Sequence, residues 1–218
     1  MMIKTNQYLG LGTALYIFYM VGLGALLLIY PKGQLELWLN DQHTQFGDLF
    51  FKYVTYLGDG ALFAVLGIAT LFVRYSYFVL LAKIIVLQTL IVQVMKRFVF
   101  DLPRPKLFFE NYDVALNFVE GVKVHGHHSF PSGHTASAFV IFIFLSLILK
   151  NRYFTIFGLL VAGLVGISRV YLLQHFFVDI FFGSIIGVFS VAVVWRLYEV
   201  NRMPWLNSPF MMKKLVLA

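Results

Sequence analysis

The stretch "HHSFPSGHTASAFVIFIFLSLILKNRY" covers His127–Tyr153. It opens with three histidines, a Pro-Ser-Gly and little apolar content, then runs from Thr135 to Leu149 without a charge. "KNRY", Lys150–Tyr153, follows as a tight charged turn, and a second apolar run continues to about Ile167. Two uncharged runs joined by so short a turn predict an antiparallel helical hairpin. Composition decides what surrounds that hairpin. Of the 218 residues 60% are hydrophobic and 12% are charged, against about 25% charged in a soluble domain. The hairpin therefore belongs in a bilayer, and the polar stretch at its mouth needs a reason to be there.

Working outward, six spans can be drawn, each near the roughly 20 apolar residues that cross a bilayer core. They are Leu11–Tyr30, Val54–Val73, Tyr77–Met95, Thr135–Leu149, Tyr153–Ile167 and Phe176–Leu197. Leu11–Tyr30 is too long for a signal-peptide core and lacks a small-residue cleavage site. The expected fold is all-α, a six-span integral-membrane bundle forming one domain over residues 1–218. An interfacial loop or helix, "KLFFENYDVALNFVEGVKV" (Lys106–Val124), lies between spans three and four. The absence of Cys excludes disulfides, thiolate nucleophiles and Cys-ligated metals. A net charge of +7 in such a chain points to phosphate-rich lipid surfaces and topology signals, not to nucleic acid.

Orientation follows from the positive-inside rule. Lys4, Arg74, Lys150, Arg152, Arg196, Arg202, Lys213 and Lys214 lie on the N-terminal side. Lys32, Lys52, Lys96, Arg97, Arg104, Lys106, Lys123 and Arg169 lie on the other. Setting aside Lys96, Arg97, Arg104 and Arg169 as functional places both termini in the cytoplasm and the loops after spans one, three and five outside.

Three polar clusters then fall on one membrane face: "KRFVFDLPRP" (Lys96–Pro105), the opening stretch, and "SRVYLLQHFFVD" (Ser168–Asp179). His175 and Asp179 are four apart, hence on one helix face. A carboxylate there accepts the imidazole Nδ1–H and leaves Nε2 free as a nucleophile. A surface His–Asp pair with a snorkelling Arg169 has the same spacing, but ionisable groups at a membrane boundary are costly and default to function. Ser132 suits a helix N-cap, Gly133 permits close approach of a ligand, and the free N–H groups of such a helix start bind anions. His134 follows in the first turn. Arg104, between Pro103 and Pro105, offers a fork for oxyanion oxygens, with Lys96 or Arg97 as a second cation. Two histidines, one of them oriented, with several cations suit phosphoryl transfer without a metal or other cofactor. One His attacks phosphorus and the other protonates the leaving alcohol.

These three clusters resemble the motifs of the type 2 phosphatidic acid phosphatase family, within the superfamily shared with vanadium haloperoxidases. The resemblance covers Lys96–Asp179 motif to motif, and the span layout extends it over nearly the whole chain. It implies a phosphohistidine mechanism with His175 as nucleophile, Asp179 as its orienter and His134 as general acid. Lys96, Arg104, Ser132, Gly133 and Arg169 would hold the phosphate. The family commonly has six residues between its Lys and the Arg-Pro. Here that position is Arg97, and Lys96 is one residue further, so either Arg97 takes the role or the connection carries an extra residue and Lys96 keeps it.

The remaining polar residues have plainer settings. His125, His127 and His128, with Glu110, Asp113 and Glu120 nearby, form a solvated loop in preference to a metal site. Asp59 in "YLGDGALF" reads as a structural cap or a contact at the site edge, and Lys83 as a snorkelling or helix-facing charge. The expectation is a bacterial inner-membrane lipid phosphatase with an outward-facing site. Its substrate would be an isoprenoid diphosphate, phosphatidylglycerol phosphate, phosphatidic acid or lipid A. A phosphotransferase with the same site is the alternative within the class. A transporter would not need the His–Asp pair beside a second His, and the family's haloperoxidases are soluble.

Overall fold

Helix caps and breaks determine where each apolar run starts and stops. The computed structural model describes residues 2–200, with side chains from residue 10 to 198. Lys4, Arg202, Lys213 and Lys214 of the charge count lie outside these side chains. Among the described residues there is no β-strand. The helices are α1 (Met2–Ile29), α2 (Gln34–Asn40), α3 (Gln45–Val54), α4 (Gly60–Val73), α5 (Tyr75–Val94), α6 (Pro105–Phe108), α7 (Gly133–Leu149), α8 (Arg152–Tyr171) and α9 (Phe177–Val200). Short 3₁₀ turns cover Thr55–Gly58 and Phe109–Asn111, and a π turn covers Met95–Val99.

Among the described residues four helices are long and apolar enough to cross a membrane on their own: Gly10–Ile29, Tyr75–Val99, Arg152–Tyr171 and Phe177–Tyr198. The protein is a multi-pass membrane protein. The expected span Val54–Val73 is instead broken. Gln45–Gly58 and Gly60–Val73 meet at a 49° bend, because Asp59 leaves the helix (φ −77°, ψ 151°) and its carboxylate accepts Ala61 N–H at 3.0 Å. α8 runs four residues beyond the expected end at Ile167 and carries Ser168 and Arg169 within it. The Lys106–Val124 stretch is mostly irregular, with helix only at α6 and the 3₁₀ turn beside it. It is pinned through Asn117, whose N–H donates to Asn40 Oδ1 and whose carbonyl accepts from Asn40 Nδ2, both at 2.8 Å. Two elements went unforeseen, the short α2 and the amphipathic α3, whose Thr44 cap accepts Gly47 N–H at 3.0 Å.

α7 is the central helix and packs against α4, α5, α8 and α9. Ala138, Phe139, Val140, Ile141 and Phe144 on it are buried. Inside a bilayer, lipid tails are as apolar as the side chains, so close backbone approach and polar contacts bring helices together. Gly183 and Gly187 supply that approach. A Cβ on either would lie 2.6 Å from a carbonyl oxygen of α7 or its cap, Ser132 O and Ala136 O respectively. The hairpin expected of "KNRY" is present. α7 ends at Lys150 in left-handed conformation (φ 52°), and Asn151 Oδ1 caps α8 by accepting Tyr153 and Phe154 N–H. α1 sits at the periphery against α8 and α9, and only 6% of its apolar window is buried, as suits a lipid-facing helix.

Candidate active site

At one end of the bundle the first turn of α9 and the start of α7 are tied together. Ser132 N–H donates to the Asp179 carbonyl at 3.0 Å. The Asp179 carboxylate, itself 2% exposed, collects three donors on Oδ2. These are Ser129 Oγ–H at 2.5 Å, Phe176 N–H at 2.9 Å and His175 Nδ1 at 3.2 Å. His175 lies just outside α9, not in its first turn, but the pairing expected of the i, i+4 spacing is formed. Its turn is held by the Arg169 carbonyl, which accepts Gln174 N–H at 2.9 Å and His175 N–H at 3.1 Å. With Nδ1 facing a carboxylate, the tautomer with Nε2 unprotonated is favoured. Burial, then the charges of Lys96, Arg104 and Arg169, hold the His175 pKa well below 6.5. The imidazole is therefore neutral at ordinary pH.

Those same charges show that the three clusters converge. Arg104 is aimed by three acceptors: Nε donates to the His127 carbonyl at 2.9 Å, and Nη1 donates to the Gln174 carbonyl at 3.1 Å and to Gln174 Oε1 at 2.7 Å. Its Nη2 edge has no acceptor among the described residues. Arg169 is buried, and its Nη1 donates to Thr55 Oγ1 at 2.8 Å while Nε has no partner. A buried guanidinium N–H without an acceptor is a slot for an anion oxygen. Ser132 is fully buried and caps α7, its Oγ accepting the Thr135 hydroxyl at 2.8 Å and Thr135 N–H at 3.4 Å. The N–H groups of Gly133 and His134 have no acceptor among the described residues, so the helix start presents two free donors. His134 Nε2 stands 3.7 Å from Asp59 Oδ2. Asp59 thus both caps α4 and faces His134.

Lys96 and Arg97 separate here. The chain makes a π turn over Met95–Val99, closed by Phe100 N–H to the Met95 carbonyl at 2.8 Å. A π turn absorbs one extra residue in a helix, which accommodates the one-residue mismatch in the first cluster. It leaves Lys96 half-buried, with its charge felt by His175. Arg97 is exposed and its Nε donates to Gln93 Oε1 at 3.1 Å. Both line a cavity of about 400 Å³ with Arg104 and residues 125–128. His125 sits on its rim, its pKa lowered by partial burial and then by Arg104. His128 Nδ1 faces Asp101 at 3.3 Å and the Lys96 carbonyl at 3.1 Å. No three metal-ligating side chains come together among the described residues.

Several partners escaped the sequence reading. Ser129, Gln174 and Thr55 hold Asp179, Arg104 and Arg169 respectively. Glu36, buried in α2, accepts Phe177 N–H at 2.8 Å and Gly33 N–H at 2.9 Å, bracing the N-terminus of α9. Only the Ser-rich opening stretch hinted at Ser129. Taken as chemistry, the end of the bundle holds a neutral imidazole nitrogen, three cations, two free N–H groups and a second imidazole. Such a set has the chemistry to hold a tetrahedral oxyanion and to attack its centre.

Comparison with known proteins gives this arrangement relatives. The profile of the PAP2 superfamily matches residues 77–203, more than half the chain. The sequence is 34% identical over 123 residues to lipid phosphate phosphatase 1 of Arabidopsis thaliana, covering 45% of this chain and 38% of that protein. It is 33% identical over 97 residues to the lipid A 4'-phosphatase of Porphyromonas gingivalis, covering 42% of this chain and 41% of that protein. The chain thus spans about two-fifths of the length of these curated relatives. Among solved structures, Aquifex aeolicus LpxE superposes with a TM-score of 0.67 at 30% identity, over 77% of this chain and 97% of that one.

Proposed function

The chain belongs to the PAP2 superfamily, and from that premise we propose that it is a membrane lipid phosphatase working through a phosphohistidine. The observation that carries the reading is the His175–Asp179 pair, Nδ1 to Oδ2 at 3.2 Å, set among Lys96, Arg104 and Arg169. In the first step His175 Nε2 attacks phosphorus and the bond from phosphorus to the leaving oxygen breaks. His134 gives that oxygen its proton, and Asp59 faces its ring at 3.7 Å. Asp179 balances the positive charge that develops on His175. In the second step His134 takes a proton from water, which attacks the phosphohistidine. Inorganic phosphate leaves and His175 is restored. Lys96, Arg104, Arg169 and the N–H groups at Gly133 hold the equatorial oxygens throughout, so the chemistry needs no metal.

The substrate is a lipid phosphate or diphosphate presented at the outer leaflet of a bacterial plasma membrane, with both termini in the cytoplasm. The six crossings are the four long helices, α4 with its bent partner α3, and α7. The last is short, but it is enclosed by its neighbours. The test is phosphate release by purified protein in detergent from isoprenoid diphosphate, phosphatidylglycerol phosphate, phosphatidic acid and lipid A. At least one should be hydrolysed by the wild type and none by His175→Ala. An alkaline quench should trap phosphate on the wild-type protein and not on the variant. Hydrolysis that survives in His175→Ala refutes the reading. For topology, a protease site inserted within 111–124 should be cut from outside intact cells, and protection there refutes the outward-facing site.

A further inference from the structure

The break before α4 delivers two polar groups to the site. The 3₁₀ turn Thr55–Gly58 places Thr55 on Arg169, and the next residue, Asp59, faces His134. The turn is pressed against the start of α7. A Cβ on Gly58 would lie 2.5 Å from the His134 carbonyl oxygen and 2.7 Å from Val165. Backbone contact thus fixes Asp59 relative to the His134 ring. Capping accounts for one of its oxygens, since Oδ1 accepts Ala61 N–H. Oδ2 is surplus to the cap, which Ser or Asn would make as well. An ionisable residue at a break in a membrane span is costly and defaults to function.

Oδ2 stands 3.7 Å from His134 Nε2, and the side chains of Asp59 and His134 are 42% and 32% exposed, so small molecules reach both. That separation is too long for a direct hydrogen bond and suits two acceptors that share one water. Two acceptors each about 2.8 Å from the same water lie roughly 4 Å apart. Each step of phosphoryl transfer is in line. The water of the second step therefore arrives opposite His175, at the place the leaving alcohol has vacated, and His134 serves both. The alcohol oxygen brings one hydrogen and one carbon to that place, whereas water brings two hydrogens. Only water has a use for the second acceptor.

We propose that Asp59 selects water as the acceptor of the phosphoryl group. This rests on the phosphohistidine reading above. In the second step one hydrogen of the attacking water points to His134 Nε2 and the other to Asp59 Oδ2, which aims an oxygen lone pair at phosphorus. The bond from that oxygen to phosphorus forms, the bond from phosphorus to His175 Nε2 breaks, and the first proton passes to His134. The second proton stays on the phosphate that leaves. In the first step the alcohol has no second hydrogen for Asp59, and His134 alone protonates the leaving oxygen. Asp59 thus speeds hydrolysis of the phosphohistidine and not its formation, and it favours water over a second alcohol as acceptor.

The experiment uses the purified protein in detergent and Asp59→Asn, whose side-chain oxygen keeps the Ala61 cap and whose NH₂ takes the place of Oδ2. The best lipid of the panel is radiolabelled in its phosphate, and an alkaline quench during a chase with unlabelled lipid reads decay of the phosphoprotein. Decay is expected to slow about thirtyfold, the weight of one hydrogen bond to a charged acceptor, while formation stays within about threefold. The values of kcat and KM then fall together and kcat/KM holds, because the slowed step follows departure of the alcohol. With glycerol added, the ratio of glycerol phosphate to inorganic phosphate is expected to rise about tenfold or more. Asp59→Ser, which caps but is too short to reach the water, carries the test if Asp59→Asn does not fold. A kcat/KM that falls as far as kcat overturns the assignment, since a structural role slows both steps. So does a decay rate or a glycerol ratio equal to that of the wild type. These outcomes leave the phosphatase reading standing. Phosphate release with no trapped phosphoprotein in wild type or variant, or no release from any lipid of the panel, overturns the phosphohistidine reading and this assignment with it.

Discussion

Asp179→Asn tests the proposed chemistry where the geometry allows a magnitude. The substitution keeps size and shape. Phe176 N–H, at 2.9 Å from Oδ2, cannot reverse its role, so the amide oxygen must take that position and the NH₂ the other. Ser129 and His175 then meet a neutral acceptor in place of a charged one. The ground state should change little, because in the proposed site the phosphate is held by Lys96, Arg104 and Arg169. The intermediate changes a great deal. When Nε2 bonds to phosphorus the ring becomes cationic, among three cations, with Asp179 3.2 Å away. Two unit charges at that distance interact by about 5 kcal/mol at an effective dielectric of 20. At 1.36 kcal/mol per decade this predicts a fall in kcat of roughly 10³- to 10⁴-fold with KM nearly unchanged. The same exchange in a serine-protease triad costs about 10⁴. The assay is steady-state phosphate release on the best lipid of the panel, with a melting curve to show that the variant is folded. A folded Asp179→Asn protein that loses less than about thirtyfold in kcat refutes the role given to the carboxylate.

Four further outcomes are expected. Lys96→Ala should lower kcat/KM by about 10²-fold while Arg97→Ala stays within about threefold, because one charge-assisted contact to a transferring phosphoryl group is worth a few kcal/mol; kcat/KM of the two variants checks it. The acid limb of kcat/KM should lie well below pH 6.5, since the buried His175 is neutral above its lowered pKa. The unfolded chain takes up that proton near pH 6.5 and the folded one only further down, so stability is full above about 6.5 and the melting temperature should fall as pH drops below it. Glu36→Ala leaves the N–H groups of Gly33 and Phe177 unpaired, at about 1–3 kcal/mol each, and should lower both melting temperature and kcat, whereas a silent variant would remove α9 bracing from the account. Activity should survive excess EDTA and be inhibited by vanadate in competition with substrate, because a trigonal-bipyramidal oxyanion matches the transition state; inhibition curves at several substrate concentrations check both.

What the sequence made legible is what depends on neighbours in the chain. The Ser132 cap, the His175–Asp179 pairing and the hairpin at Lys150–Arg152 each involve residues within four positions, where helix geometry alone specifies the contact. The illegible part is long-range. Thr55 reaches Arg169 across 114 residues, Glu36 reaches Phe177 across 141, and Gln174 reaches Arg104 across 70. No local pattern distinguishes these polar residues from ordinary loop or cap residues. The break at Asp59 was missed for a different reason. Hydropathy averages over a window, and a single extended residue between two glycines barely moves the average. The π turn that carries Lys96 and Arg97 is a change of hydrogen-bond register that leaves no mark in residue pattern.

The long-range contacts also explain why the site and one end of the fold are a single object. Apolar burial does not distinguish helix from lipid in a bilayer, so helix association relies on close backbone approach and polar pairing. At this end the polar pairing is made by the proposed reactive groups and their holders. Ser132 to Asp179 joins α7 to α9, Arg169 to Thr55 joins α8 to the 3₁₀ turn before α4, and Glu36 to Phe177 joins α2 to α9. Gly58 and Gly183 bring the same elements within contact of the backbone at His134 and Ser132. A group held by packing on one side and by two or three hydrogen bonds on the other loses little freedom when phosphate arrives, which is the condition for electrostatic preorganisation. Substitutions of the holders should therefore lower stability and turnover together.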